Sequence, residues 1–251
     1  MIMALIAYAC FGMAPLNDDI IFWGVLSGII HGVYILCLSR AYSTADLSYV
    51  YPIARSAPIF VPVFAWLLLD EQLSISIFFA IVLILLAIFI LHFEGKVIQG
   101  FKNLIGAFGH QDLRWAFYTL AMVVSYSLVD KKGMDSFLNH LPDQPFANGI
   151  TYFFIEATIG FALCNVYVFA SHPAKYIFQT WRSEWKKAML AGTATLGSYG
   201  LICVVLQFEA LSAIVSLRQV SVLMVVYWGC WRLKEPFGPQ RLLAGVLILI
   251  G

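Results

Sequence analysis

The 251-residue chain is 61% hydrophobic and only 12% charged, with a mean hydropathy of +0.85 and a formal net charge of +1. A soluble domain averages about 25% charged residues, and one water-facing core cannot hide this much apolar surface; the near-neutral charge gives no footing for a nucleic-acid partner. The apolar runs are rich in Leu, Ile and Phe and lack period-two alternation, so an all-α, polytopic membrane protein is expected and a β-barrel is disfavoured.

The chain opens on MIMALIAYACFGMAP. It lacks the basic n-region of a signal peptide, and thirteen apolar residues are too few for a full span. It reads as the tail of a span whose beginning is missing, and RLLAGVLILIG at the other end reads as half a helix. Between these partial spans, at 1–13 and 241–251, complete ones are expected at 20–39, 47–69, 73–91, 113–130, 148–170, 188–207 and 211–231. The longer connections are 92–112, 131–147 and 171–187. The first and last of these mix aromatics with lysine and arginine, as in SHPAKYIFQTWRSEWKK, and read either as interfacial segments on the headgroups or as plain basic loops. Cys10, Cys37, Cys164, Cys203 and Cys230 all lie in apolar runs without metal spacing and read as reduced packing residues.

The span 47–69 is unusual, because it holds Pro52, Pro58 and Pro62 and, near its middle, Arg55. Each proline removes an N–H from the helix ladder, and carbonyls freed in lipid are costly unless they line a cavity or a protein interface. The segment is therefore expected to kink and to face the bundle interior. A mid-membrane arginine costs about 2.5–3.5 kcal/mol or more and faces a cavity with a counter-group. Arg218 lies at similar depth in 211–231, next to Gln219. Two such arginines suit an anionic or zwitterionic substrate, since the guanidinium fork matches carboxylate and phosphate. The competing reading is a structural ion pair with Glu156 or Glu209. Glu156, inside 148–170, either carries a proton or neutralises an arginine. His31 and Tyr34 share a helix face, Tyr51 stands one turn before Arg55, and Tyr126 and Tyr199 add hydroxyls; all are candidates for the same cavity or for plain packing. Glu71 and Glu235 fall at helix ends and are expected to cap the helix that follows each.

Offset by 164 residues, the chain matches itself: Glu71 meets Glu235, Leu47-Ser48 meets Leu211-Ser212, Gly28 meets Gly192, and Arg55 meets Gln219 beside Arg218. Between equivalent points the chain advances by five helices, an odd number, so the second copy is inverted. Inverted-topology repeats are a signature of secondary transporters.

The stretch AYSTADLSYVYPIARSAPIFVPVFAWLLLDEQLS, followed by an apolar helix, resembles the EamA repeat of the drug/metabolite transporter superfamily, and SYGLICVVLQFEALSAIVSLRQVSVLMVVYWGCWRLKEPFGPQRLLAGVLILIG resembles the second copy. The resemblance implies a helix bundle of two five-helix inverted repeats around a central cavity. Against that pattern the first helix is expected to be missing and the ends truncated. The implied division is a first repeat at 1–91, a connection at 92–112 and a second repeat at 113–251. The implied function is a secondary transporter that moves a small polar metabolite by alternating access, with a flippase of a lipid or lipid-linked substrate as the alternative. No HExxH, GxSxG, Walker loop or metal cluster occurs, so no enzyme and no metal are expected. Expected associations are the lipid bilayer, a small-molecule substrate and H+ as a coupling ion without other cofactor; a homodimer is left open. The expected location is a bacterial inner membrane. Orientation is contested, because the basic residues Arg40, Lys96, Lys102, Arg114, Lys175, Arg182, Lys186, Lys187, Arg232, Lys234 and Arg241 share one side. The positive-inside rule makes that side cytoplasmic, whereas the family pattern puts it outside.

Overall fold

The computed structural model describes residues 12–44, 50, 53–72, 75–92, 113–221, 243 and 245–247, and among them all regular structure is helical. Seven helices are described: α1 Asp18–Thr44, α2 Ala57–Leu69, α3 Ile75–His92, α4 Arg114–His140, α5 Pro145–Ser171, α6 Ala174–Val205 and α7 Leu211–Leu217. By length and composition α1, α5 and α6 can each cross a bilayer, and the apolar stretches Ile53–Leu69 and Ile75–Ala87 are shorter. The chain divides into two compact units, Met1–Leu36 with Ser125–Glu209, and Cys37–Val124 with Ala210–Gly251.

In the first unit α1 and α5 meet along a row of glycines. Gly24, Gly28 and Gly32 recur every four residues and face Ile155, Ile159 and Leu163. A Cβ on Gly28 would lie 2.6 Å from the Cβ of Ile159 and 2.7 Å from the Glu156 carbonyl oxygen. Without side chains on this row, the backbones approach and gain dispersion contacts, which drive helix association in lipid in place of the hydrophobic effect. Gly133 of α4 makes similar room for the Tyr152 ring, and Gly149 of α5 for Val204 of α6.

Exposed helix ends are a problem in lipid, since the terminal N–H and C=O groups have no intrahelical bond. Side chains meet them here. Asn17 Oδ1 accepts from the Ile20 N–H at 2.8 Å at the start of α1. Lys131 Nζ donates to the Leu206 carbonyl at the end of α6, 2.9 Å away, and also contacts Asp135 at 2.8 Å. Asn148 Nδ2 donates to the Leu141 carbonyl and to Gln207 Oε1, while Gln207 Nε2 donates to the Pro145 and Val204 carbonyls.

Two boundaries differ from the sequence-based expectation. The connection expected at 131–147 is helical through His140, so α4 is one helix rather than a span ending at 130. Met134 and Phe137 are fully buried and continue the apolar face past the charged DKKG, while Lys131 and Asp135 pair one turn apart on the same helix. The connection expected at 171–187 is the first half of α6; only His172 and Pro173 separate it from α5. Charged residues mark where the apolar stretch stops, not where the helix does.

In the second unit α2, α3 and α7 pack together. Pro58 lies in the first turn of α2, where its missing N–H is not needed, and Pro62 sits inside the helix; both are buried. Pro52 and Tyr51 lie outside the described residues, as does Glu235. The α2 helix ends on Asp70 in the left-handed conformation at φ 54°. Glu71, expected to cap the helix that follows it, comes next in the chain. Its carboxylate instead accepts from the Leu211 N–H at 2.6 Å, the Ser212 N–H at 3.2 Å and the Ser212 hydroxyl at 2.7 Å. It therefore caps α7, far along the chain, through both hydrogen bonds and the positive end of the helix dipole.

Two predictions follow from this packing. Glu71→Ala should destabilise the detergent-solubilised protein by about 0.5–2 kcal/mol, read as a lowered thermal unfolding midpoint. Gly28→Ala should cost about 1–3 kcal/mol by overpacking, whereas Gly192→Ala, where an added Cβ meets nothing within 4 Å, should leave the midpoint unchanged or higher.

Candidate functional site

Four helices of the first unit aim polar side chains at one place. On α1, Ser27, His31 and Tyr34 follow each other at spacings of four and three, so they share a face. On α4 the pair is Tyr126 and Asp130, and on α5 it is Tyr152 and Glu156, each one turn apart. Tyr199 comes from α6. The glycine row brings α5 against α1 at Gly28, which sets Glu156 beside His31 on the next turn.

Asp130 is the acceptor at the centre. It is fully buried and receives three hydroxyls: Ser27 Oγ and Tyr152 Oη on Oδ1, the latter at 3.2 Å, and Tyr199 Oη on Oδ2 at 2.6 Å. A buried carboxylate is tolerated when its lone pairs are satisfied in this way. The three donors are hydroxyls rather than a lysine or arginine.

His31 connects this centre to Glu156. Its Nδ1 lies 3.2 Å from Glu156 Oε1, from the Ser27 carbonyl oxygen and from Ser27 Oγ. The Ser27 carbonyl and an ionised Glu156 only accept, so a hydrogen on Nδ1 would serve both. The imidazole stacks on Tyr126 with ring centroids 3.9 Å apart, and Tyr199 meets it edge-on at 5.3 Å. Tyr34 contacts the same group, 5.6 Å from Tyr126. The result is a continuous hydrogen-bonded path from Glu156 through His31 and Ser27 to Asp130 and Tyr199, walled by aromatic rings.

His31, Asp130 and Glu156 each offer one metal-ligand atom, all within 4.8 Å of one another. Bonds of about 2.1 Å in tetrahedral geometry would hold ligand atoms about 3.4 Å apart, and both Asp130 oxygens already accept hydroxyl hydrogens. In this structure the group forms a hydrogen-bonded network.

Of the residues expected in one cavity, His31, Tyr34, Tyr126, Tyr199 and Glu156 come together in the first unit. Arg55, Arg218 and Gln219 belong to the second. Arg55 is half-buried in the short helical turn before α2, Arg218 follows the last residue of α7, and Gln219 is buried with its Nε2 donating to the Val215 carbonyl at 3.5 Å. At Glu156 Oε1 the structure places His31 Nδ1. Asp130, Ser27 and Tyr152 were missed. The signal for them was the four-residue spacing of Ser27 to His31 and of Tyr126 to Asp130, together with the glycines at 24, 28 and 32.

Residues 1–93 match the model of the EamA-like transporter family. The match is consistent with a transporter of the drug/metabolite type, and together with the apolar helices it points to an integral membrane protein. EamA-type proteins are generally not enzymes. The matched region holds α1 with Ser27, His31 and Tyr34, and the Glu71 cap; Asp130, Glu156 and Tyr199 lie beyond it. No curated protein sequence matches the chain.

Removing one donor from Asp130 tests the network. Tyr199→Phe should lower stability by about 1.5–3 kcal/mol, the range for a hydrogen bond to a charged group. Tyr118→Phe, on an exposed tyrosine of α4, should leave the thermal midpoint unchanged.

Proposed function

We propose that the protein is a secondary transporter that moves a small polar metabolite, anionic or zwitterionic, by alternating access, with proton movement coupled through Glu156. The observation that carries this reading is the path Glu156–His31–Ser27–Asp130–Tyr199, of which Glu156, His31, Ser27 and Tyr199 lie on helices apolar enough to cross a bilayer and Asp130 on α4 beside them. Ionisable groups at membrane depth are expensive and mark substrate or proton pathways. A passive anchor has no use for two buried carboxylates and an imidazole. The family match supports a transporter as the class.

The chemistry follows from the pair. With Glu156 ionised, the His31 Nδ1–H donates to it. A proton arriving on Glu156 neutralises the carboxylate and weakens its hold on that N–H. The local charge changes by one unit in a low-dielectric setting, which biases the helices that carry it. Arg55 and Arg218 supply the cationic forks for a carboxylate or phosphate of the substrate. A bacterial inner membrane is the setting in which such proton coupling operates.

Two measurements on the full-length protein test this. In proteoliposomes, Glu156→Gln should abolish the pH dependence of uptake while folded protein is recovered in normal yield; an unchanged pH profile removes Glu156 as carrier. A thermal-shift panel of amino acids, organic acids, phosphonates and lipid headgroups should give hits among anions or zwitterions, with about 2.7 kcal/mol of added stability at 100 times Kd. Those hits should vanish in Arg55→Ala and Arg218→Ala; binding kept in both variants sinks the anion site.

A further inference from the structure

We propose that residues 174–189, the first half of α6, bind the anionic headgroup surface of the bilayer in which the protein sits. The inference is independent of what the protein transports. The first point is length. The α6 helix has 32 residues, about 48 Å at 1.5 Å per residue, whereas the hydrocarbon core is about 30 Å and takes about 20 residues. The apolar run ends at Ala188, and the turns before it carry Lys175, Arg182, Glu184, Lys186 and Lys187. Those turns emerge at the headgroup level.

The second point is the pattern. Ile177, Phe178, Trp181, Trp185, Ala188 and Met189 recur at helical spacing and form one apolar stripe. The stripe is open in the structure: Phe178 is 66% exposed and Trp181 59%. Lys175, Arg182 and Lys186 flank it on one side and Lys187 stands on the other, with Glu184 tied to Lys187 at 2.8 Å. Four cations against one carboxylate give the segment a charge opposite to that of phosphatidylglycerol or a similar lipid. Tryptophan rings and snorkelling lysines are the residues that settle at this depth, and an amphipathic basic helix binds by its buried apolar area plus attraction to anionic lipid.

The third point is the joint. Gly192 and the Gly197–Ser198 pair lie between the stripe and the packed end of α6, and the Thr195 hydroxyl bonds back to the Ala191 carbonyl at 2.9 Å. Gly/Ser pairs and hydroxyl back-bonding are where helices bend. The segment can therefore lean onto the surface while Tyr199 and Cys203 stay buried.

The test is tryptophan quenching of the full-length protein in nanodiscs made with phosphatidylglycerol or with phosphatidylcholine, each containing lipid brominated near the headgroup end of its acyl chains. The contribution of Trp181 and Trp185 is taken by difference against the W181F/W185F variant. The expected result is strong quenching of these two residues in phosphatidylglycerol discs, reduced by added salt. Replacing Lys175, Arg182, Lys186 and Lys187 with Gln should weaken surface binding on the order of 100-fold or more, since each cation near an anionic surface contributes about fivefold. Absence of quenching in phosphatidylglycerol overturns the proposal. So does quenching that is equal in both lipids and indifferent to the glutamine substitutions, or protection that rises with protein density, which would mean a second copy covers the stripe. The lipid comparison on the unaltered chain needs no substitution to fold.

Discussion

Everything at the buried polar cluster depends on how closely two backbones approach. Along α1 the positions facing α5 carry no side chain, so carbonyl and Cα come into contact where two leucines would hold the axes apart. That distance decides whether His31 reaches Glu156, and it is set one turn away from either residue. In water, burial of apolar surface would pull such helices together with little regard to shape. In lipid the tails are as apolar as the side chains, so contact quality does the work. A row of glycines is thus the way this chain converts an apolar surface into a specific one.

The cluster itself is an answer to solvation without water. Two carboxylates in apolar helices need something to replace their hydration. Tyrosine supplies it with little disturbance, because its ring packs like any aromatic while its hydroxyl tip donates. Tyr152 does both: its ring lies in the space left by Gly133, and its hydroxyl reaches Asp130 and the Trp23 carbonyl. The same economy holds at the helix ends, where Asn148, Gln207 and Lys131 bind backbone carbonyls.

The class of the protein was legible from composition, and the helices from the length of the apolar runs. The prolines, His31, Tyr126, Tyr199 and Glu156 stood out because polar or helix-breaking residues are conspicuous in such runs. The ends of α4 and the start of α6 were not legible, because hydropathy reports where a bilayer would stop favouring the chain, whereas a helix continues as long as its backbone bonds are made. Asp130 was hidden for the same reason: beside Lys131 and Lys132 it resembles the border of a span. The target of Glu71 could not be read at all. A cap is a local inference in sequence, and here the N–H groups it meets belong to residues 140 and 141 positions further on.

That distance has a consequence for how the protein is made. A chain elongating at about 5–20 residues per second places Glu71 in the nascent protein about 7–28 s before Leu211 exists. Through that interval the carboxylate has no α7 to cap and must be hydrated at the border of the translocating apparatus or the bilayer. The second unit therefore closes late, when the ribosome has nearly finished the residues described here. Quality control has a window in which an open α2 end, with its acidic turn, distinguishes an unfinished molecule from a completed one.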